Sequence, residues 1–215
     1  VPGLILSLPQ KLRRLAELGV GAAVLIDFSG EISTLSGRDF IDLLRGRLAI
    51  ERIVVGPNFR FGRNRDADVR DLEAMLAGAA APGLAGGSST TVQAIEPVRR
   101  GGEIVSSSRI RRAIRDGDLE GAADMLAMPH EIDLAGAGGQ TGTVVRLARA
   151  AVPQVLPSTG TFAVTGRGPD GDVPGTLEAA GDPVVVRLSR EACIATLVFG
   201  RGQGNERSPR DGIDR

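Results

Sequence analysis

Between residues 8 and 76 the sequence alternates amphipathic stretches with short, unbroken apolar runs, and that alternation constrains the chain more than anything else in it. Ser7 can cap a helix with Pro9 in its first turn, Leu8, Leu12, Leu15 and Leu18 form one apolar stripe, and Gly19 ends it. Residues 22–28 are apolar at nearly every position, which predicts a strand covered on both faces. Ser36 opens a second helix through Phe40, Leu43 and Leu44, and residues 50–55 repeat the buried-strand pattern. Asp68 then caps a helix through Val69, Leu72, Met75 and Leu76. Helix, strand, helix, strand, helix at this spacing predicts a parallel α/β sheet of Rossmann-like architecture, without the dinucleotide fingerprint.

Residues 78–89 are rich in Ala, Gly and Ser and read as a surface loop. Residues 90–95 predict another strand, Gly101 and Gly102 a turn, and Ser107 and Asp118 the starts of two short helices. Beyond Pro129 the character changes. Short β-prone runs at 142–147, 160–165, 183–188 and 192–199, separated by Gly, Pro and Asp, predict a small antiparallel sheet or barrel remnant. The expected organisation is therefore an α/β part over 1–128, a β-rich part over 129–200 and a disordered tail over 201–215.

Composition closes off several classes of function. Lys+Arg and Asp+Glu each number 26, so no global field draws the chain to nucleic acid or to an anionic membrane. Lys11 is the sole lysine, and Tyr and Trp are absent, which reads as compositional bias. One cysteine, Cys193, rules out an internal disulfide or a thiolate cluster, and it reads as a small apolar strand residue. No apolar run approaches the roughly 18 residues of a membrane span, and the first residues lack the order of a signal peptide, so a cytoplasmic protein is expected. Val1 at the start, rather than methionine, points to a longer parent product.

Two constellations could carry chemistry. The first, Gly56-Pro57-Asn58-Phe59-Arg60-Phe61-Gly62, follows a predicted buried strand, where open α/β sheets place ligands. Gly56 and Gly62 let backbone approach a ligand, Asn58 offers an amide, and Phe59 and Phe61 can stack on a planar ring or simply plug the core. The second, Ser106-Ser107-Ser108-Arg109-Ile110-Arg111-Arg112, opens a helix where free amides, hydroxyls and the dipole converge on an anion. An ordinary N-cap with a solvated arginine face fits the same letters. The pairs Arg99-Arg100 and Arg111-Arg112 suggest nucleic acid only weakly at zero net charge.

Taken in order, these segments resemble the bacterial FAD synthetase family, bifunctional riboflavin kinase/FMN adenylyltransferases. Leu8 to Val20 is similar to its L-x-x-K-L-x-x-L-x-x-L-G-V segment, and Ile26-Asp27-Phe28 with Leu35-Ser36 and Phe40 to F-D-x-x-F-A-x-L-S-x-x-x-F. Val54 to Gly62 resembles V-V-G-x-N-F-R-F-G, Val105 to Arg111 resembles I-S-S-T-R-I-R, and Gly117 to Leu126 resembles G-D-x-x-x-A-x-x-L-L. The resemblance implies a nucleotidyltransferase that joins AMP from ATP to FMN, usually with magnesium, releasing pyrophosphate and forming FAD. It implies that Ser107, Ser108 and Arg111 bind ATP phosphates, with Ser107 and Arg111 serving the transfer itself. Asn58, with Phe59, Phe61, Gly56 and Gly62, would hold the flavin or nucleotide. No residue is assigned to a metal, no nucleic-acid or membrane partner is expected, and the oligomeric state stays open.

The departures are specific. The family's H-x-G-H segment has no counterpart here, and His130, the sole histidine, reads as a surface or linker residue after Pro129. Ser108 stands for threonine, Ala67-Asp68 for Gly-Asp, and Ser29 for an aspartate. Residues 156–164 resemble the kinase module's L-P-x-x-G-V-Y-A-V strand, but its G-F-P-T-A-N motif is missing, so no riboflavin kinase activity is expected. The alternative is a truncated or inactive relative that binds flavin or nucleotide, or regulates, without transferring AMP.

Overall fold

The structure, a computed structural model, describes residues 3–28, 30–77, 89–135 and 140–200. Ser29, nearly all of the expected loop at 78–89 and the expected tail at 201–215 lie outside the described residues. The chain divides into two compact units, Val1–Ala23 with Arg100–Arg215, and Val24–Arg99.

The first unit opens with α1 (Leu8–Glu17), which starts where its cap places it: the Ser7 hydroxyl accepts the Gln10 amide while the Gln10 side chain accepts the Ser7 amide. The leucine stripe is not its buried face. Gln10 is the buried residue of α1, whereas Leu8 and Leu18 are 44% and 69% exposed. The reason is a polar network beneath the helix, described below, that needs an amide rather than an alkyl group.

In the second unit, α2 (Glu31–Thr34) leads to α3 (Gly37–Arg45), capped by Ser36, and then to β1 (Arg52–Val55). Asp68 caps α4 (Val69–Leu76), and β2 (Thr91–Ala94) runs parallel to β1 in the register Arg52 to Thr91 through Val55 to Ala94. Ile41, Phe61, Ala67, Leu72 and Leu76 form the core, with Phe40, Ile53, Val55, Met75 and Val92 packed on it. Residues 22–28 form no strand, contrary to expectation; Val24, Leu25 and Phe28 are exposed. A strand exists only where a neighbour takes its amides and carbonyls, and the described parallel sheet holds β1 and β2 alone.

The chain returns to the first unit through a hairpin, β3 (Arg99–Arg100) and β4 (Glu103–Ile104), turned at Gly101 and Gly102, both at positive φ. Two helices follow, α5 (Ser107–Asp116), closed by Gly117 in the left-handed conformation, and α6 (Leu119–Leu126), capped by Asp118. Then come β5 (Glu131–Asp133), β6 (Gln140–Leu147), β7 (Thr161–Gly168), β8 (Gly171–Glu178), β9 (Val184–Ile194) and β10 (Thr196–Phe199). They make one antiparallel sheet in the order β5-β10-β7-β8-β9-β6, curled into a half-barrel. β9 pairs β6 on both sides of a register break between Gly142 and Val144, which lets a long strand bend. Neither β5 nor β8 is among the predicted runs. β8 contains Pro174 and Gly175, but Pro174 precedes the register with β9, and Gly175 lies where a Cβ would strike the Arg187 carbonyl. Twenty or so apolar side chains from this sheet, α5 and α6 share one core. Cys193 sits half-buried in β9, as a small strand residue should.

His130 is not a surface or linker residue: it is 1% exposed. Its ring stacks on Phe199 at 5.6 Å, and Nε2 lies 2.9 Å from the Val155 carbonyl, to which it donates as the neutral tautomer. Burial lowers its pKa below the usual 6.5, partly opposed by that carbonyl. The unfolded chain takes up a proton as the pH falls through 6.5 while the folded ring resists, so stability is flat above that value and falls below it. The melting temperature should therefore drop from pH 7 to pH 5, and His130→Leu should flatten that slope while losing some stability at pH 7, because the Val155 carbonyl loses its donor. An unchanged slope in the variant would assign the effect to other groups. Arg149 offers a second test. Its guanidinium donates to the carbonyls of Pro157, Ser158, Ala179 and Gly181 at 2.6 to 3.1 Å, a fork lysine cannot copy. Arg149→Lys should lower the unfolding free energy by about 2–3 kcal/mol in a urea titration.

Candidate functional site

At the N-terminus of α5 the Ser106 hydroxyl caps the helix by accepting the Arg109 amide at 3.3 Å, and its carbonyl takes the Ile110 amide. Ser107 and Ser108 are exposed, and their amides and hydroxyls meet no partner among the described residues. These are the free donors that a helix start aims at an anion. Arg111 follows Ser107 by four residues and Ser108 by three, which puts all three on one face. It is half-buried, and its Nε donates to the Gly3 carbonyl at 2.7 Å, leaving both Nη groups without a partner among the described residues.

The neighbouring arginines do other work. Arg109 pairs with the Glu103 carboxylate at 3.0 Å and donates to the carbonyls of Arg100 and Glu103, so it braces the β3–β4 hairpin. A cleft of about 380 Å³ on that side of α5 is lined by Arg100, Arg109 and Arg112 together with Glu103, Asp116 and Asp124, and it contains none of Ser107, Ser108 and Arg111. Its charges largely cancel.

The other constellation lies in the second unit. Past β1, Gly56 to Phe59 form a β-turn closed by the Phe59 amide on the Gly56 carbonyl at 3.0 Å, with Pro57 at its second position. Asn58 is exposed at the tip and meets no partner among the described residues. Phe61 is a core residue, and Phe59, half-buried, stacks on it with centroids 5.3 Å apart and planes 18° from parallel. The aromatics thus plug the core and set the turn, and Phe59 carries the partly exposed face. Phe61 and Ala67 exchange backbone hydrogen bonds, pinching residues 62–66 into a knob whose Asn64 and Arg65 sit at positive φ. Asp66 Oδ1 accepts the Gly37 amide at 3.1 Å. Asp68, at the knob's end, ion-pairs with Arg60 at 3.6 Å, and the amides of Asp71 and Arg70 hold its carboxyl below the usual 3.8. β1 and β2 both end here, so this is the carboxyl edge of the parallel pair.

The family model described as FAD synthetase matches residues 1–109, just over half of the 215. The chain belongs to the FAD synthetase family. The bifunctional riboflavin kinase/FMN adenylyltransferase of Escherichia coli (strain K12) is 30% identical over 202 residues, 91% of this chain and 62% of that protein. The like-named protein of Bacillus subtilis (strain 168) is 26% identical over 166 residues, 75% of this chain and 49% of its own length. The chain therefore spans less than two thirds of these relatives. Among solved structures, one described as a macrolide-efflux protein from Streptococcus pneumoniae superposes with a TM-score of 0.71 at 21% identity, covering 91% of this chain and 70% of that one. That likeness speaks to the fold alone.

The family segments at 54–62 and 105–111 thus lie in different compact units. Sequence reasoning missed two supports, the Gly3 carbonyl under Arg111 and the Asp66 carboxylate on Gly37. The first left no local signal; the second is foreshadowed by the paired glycines. Gly62 sits at φ +77, and a Cβ there would collide with the Asp66 carboxylate and the Gly37 backbone. Gly62→Ala should therefore cost at least about 1–2 kcal/mol. It should also loosen Phe59, checked by thermal melts and by amide exchange across 56–68.

Proposed function

We propose that the chain is the adenylyltransferase portion of an FAD synthetase, of Rossmann-like nucleotidyltransferase architecture, transferring AMP from ATP to FMN. A phosphate oxygen of FMN attacks the α-phosphorus, the bond to the bridging oxygen breaks, and pyrophosphate leaves with the electron pair. No covalent enzyme intermediate is needed, so positioning and charge neutralisation supply the catalysis. Ser107 and Ser108 present amides and hydroxyls to the ATP phosphates, and the free Nη groups of Arg111 take the charge that grows as pyrophosphate departs. Asn58 and the exposed face of Phe59, set by Phe61 and by the turns at Gly56 and Gly62, hold the flavin or nucleotide. Among the described residues no three His, Cys, Asp or Glu side chains converge on a metal position, so magnesium is written as part of the ATP substrate.

The observation that carries this reading is the common face of Ser107, Ser108 and Arg111 at the start of a ten-residue helix, in a chain whose family match runs into that helix. A second reading, binding without transfer, is favoured by one fact: His130, the sole histidine, is sealed in the β core and is out of reach of a nucleotide.

Incubation with FMN, ATP and magnesium, with FAD separated by chromatography, decides between them. Arg111→Ala should lower kcat for FAD formation by about 10²–10³. FAD formation indifferent to Arg111→Ala would remove the helix from the mechanism. Saturable FMN or ATP binding without product would establish the second reading.

A further inference from the structure

Arg111 is held by a backbone carbonyl that its own helix does not supply. Gly3 lies 108 residues away, and its carbonyl takes the Nε–H at 2.7 Å. An arginine held through Nε keeps its plane fixed and its two Nη groups directed outward as a fork. What fixes the Gly3 carbonyl is equally specific. The Leu4 amide donates to Pro153 and the Leu4 carbonyl accepts the Val155 amide, at 2.9 and 2.8 Å, a parallel bridge centred on Gln154.

Gln154 is 3% exposed, and its amide makes every contact available to it. Nε2 donates to the carbonyls of Ile5 and Glu131 and to Gln10 Oε1, at 3.2, 2.7 and 2.9 Å, while Oε1 accepts the Asp133 amide at 2.7 Å. Gln10 Oε1 also takes the Ser7 amide, and the Ser7 hydroxyl donates to Asp133 Oδ2 at 2.6 Å. One buried amide thereby ties residues 3–10 to β5 and to the segment before β7. A Cβ on Gly3 would stand 2.9 Å from Val155 Cγ2, so the two segments touch at the residue whose carbonyl holds Arg111.

We infer that Gln154 is a positioning residue for Arg111, acting through the Gly3 carbonyl, so that the fork of Arg111 is set before a polyphosphate arrives. The inference rests on the reading of Arg111 as a phosphate-binding residue, and two readouts on the full chain separate the two ideas. The first is hydrogen exchange of the arginine Nε–H groups by NMR. In the parent, Arg111 should exchange at least about tenfold more slowly than the exposed Arg112, and that gap should close in Gln154→Met, which removes the amide but keeps the bulk, and in Gly3→Ala. The second is calorimetric affinity for inorganic tripolyphosphate, which should fall about tenfold in each of those variants and no further when Arg111→Ala is combined with them.

Equal exchange at Arg111 and Arg112 in the parent, protection that survives in folded variants, or losses that add to that of Arg111→Ala would each overturn the positioning role. If Gln154→Met does not fold, Gly3→Ala decides. Equal tripolyphosphate affinity in the parent and Arg111→Ala would overturn the phosphate reading instead, whatever the exchange rates show.

Discussion

The buried amide of Gln154 is the contact on which the first unit turns. Its bonds reach Ile5 and Gln10, 149 and 144 residues back in sequence, and β5 just upstream. A buried donor left without a partner forfeits its whole desolvation cost, typically about 1–3 kcal/mol, so these segments are held together by the requirement that each polar group be met as much as by apolar area. That requirement explains why α1 buries Gln10 and leaves Leu8 and Leu18 in solvent. Helix amphipathicity assumes an apolar floor; here the floor is made of carbonyls and amides.

Arginine does much of the remaining polar work, and each one does it differently. Arg149 gathers four carbonyls, Arg109 braces a hairpin through Glu103, and Arg111 spends only Nε, on Gly3. All three uses need the planar fork, which makes the near absence of lysine physically intelligible at these positions. It also shows why net charge says little about function: a guanidinium committed to carbonyls contributes no steering field, whereas the two free Nη groups of Arg111 are a local anion site on a chain of zero formal charge.

Local signals were read correctly and long-range ones were not. Ser7, Ser36, Asp68, Ser106 and Asp118 all cap the helices they announce, because a cap is a contact between residues two or three apart. β1, β2, β7 and β10 follow from apolar runs and turns. Residues 22–28 fail because a strand is a property of a pair, and no sequence window contains its partner. β8 fails in the opposite direction: Pro174 and Gly175 look like a turn but lie where β9 needs either no amide or no side chain. At the site, the common face of Ser107, Ser108 and Arg111 follows from helical spacing alone. The diversion of Arg109 and the seating of Arg111 depend on where the chain returns in space, and Phe61 proves to be core because Phe40 and Ala67 meet it there.

The family match ends at residue 109, inside α5 and short of Arg111. The helix start that carries the candidate phosphate contacts is therefore family-like, yet the arginine completing it, and the Gln154 network beneath that arginine, come from residues beyond the match. The β-rich part cannot be a passive appendage in such an arrangement. His130 sets the Val155 carbonyl, the Val155 amide takes the Leu4 carbonyl, and Gly3 next to it seats Arg111. Loss of the half-barrel would remove the floor from under α1 and the anchor from Arg111 together. A sheet lacking the kinase's nucleotide motif still has a physical reason to be retained: it is the surface on which the first unit's one free guanidinium fork is aligned.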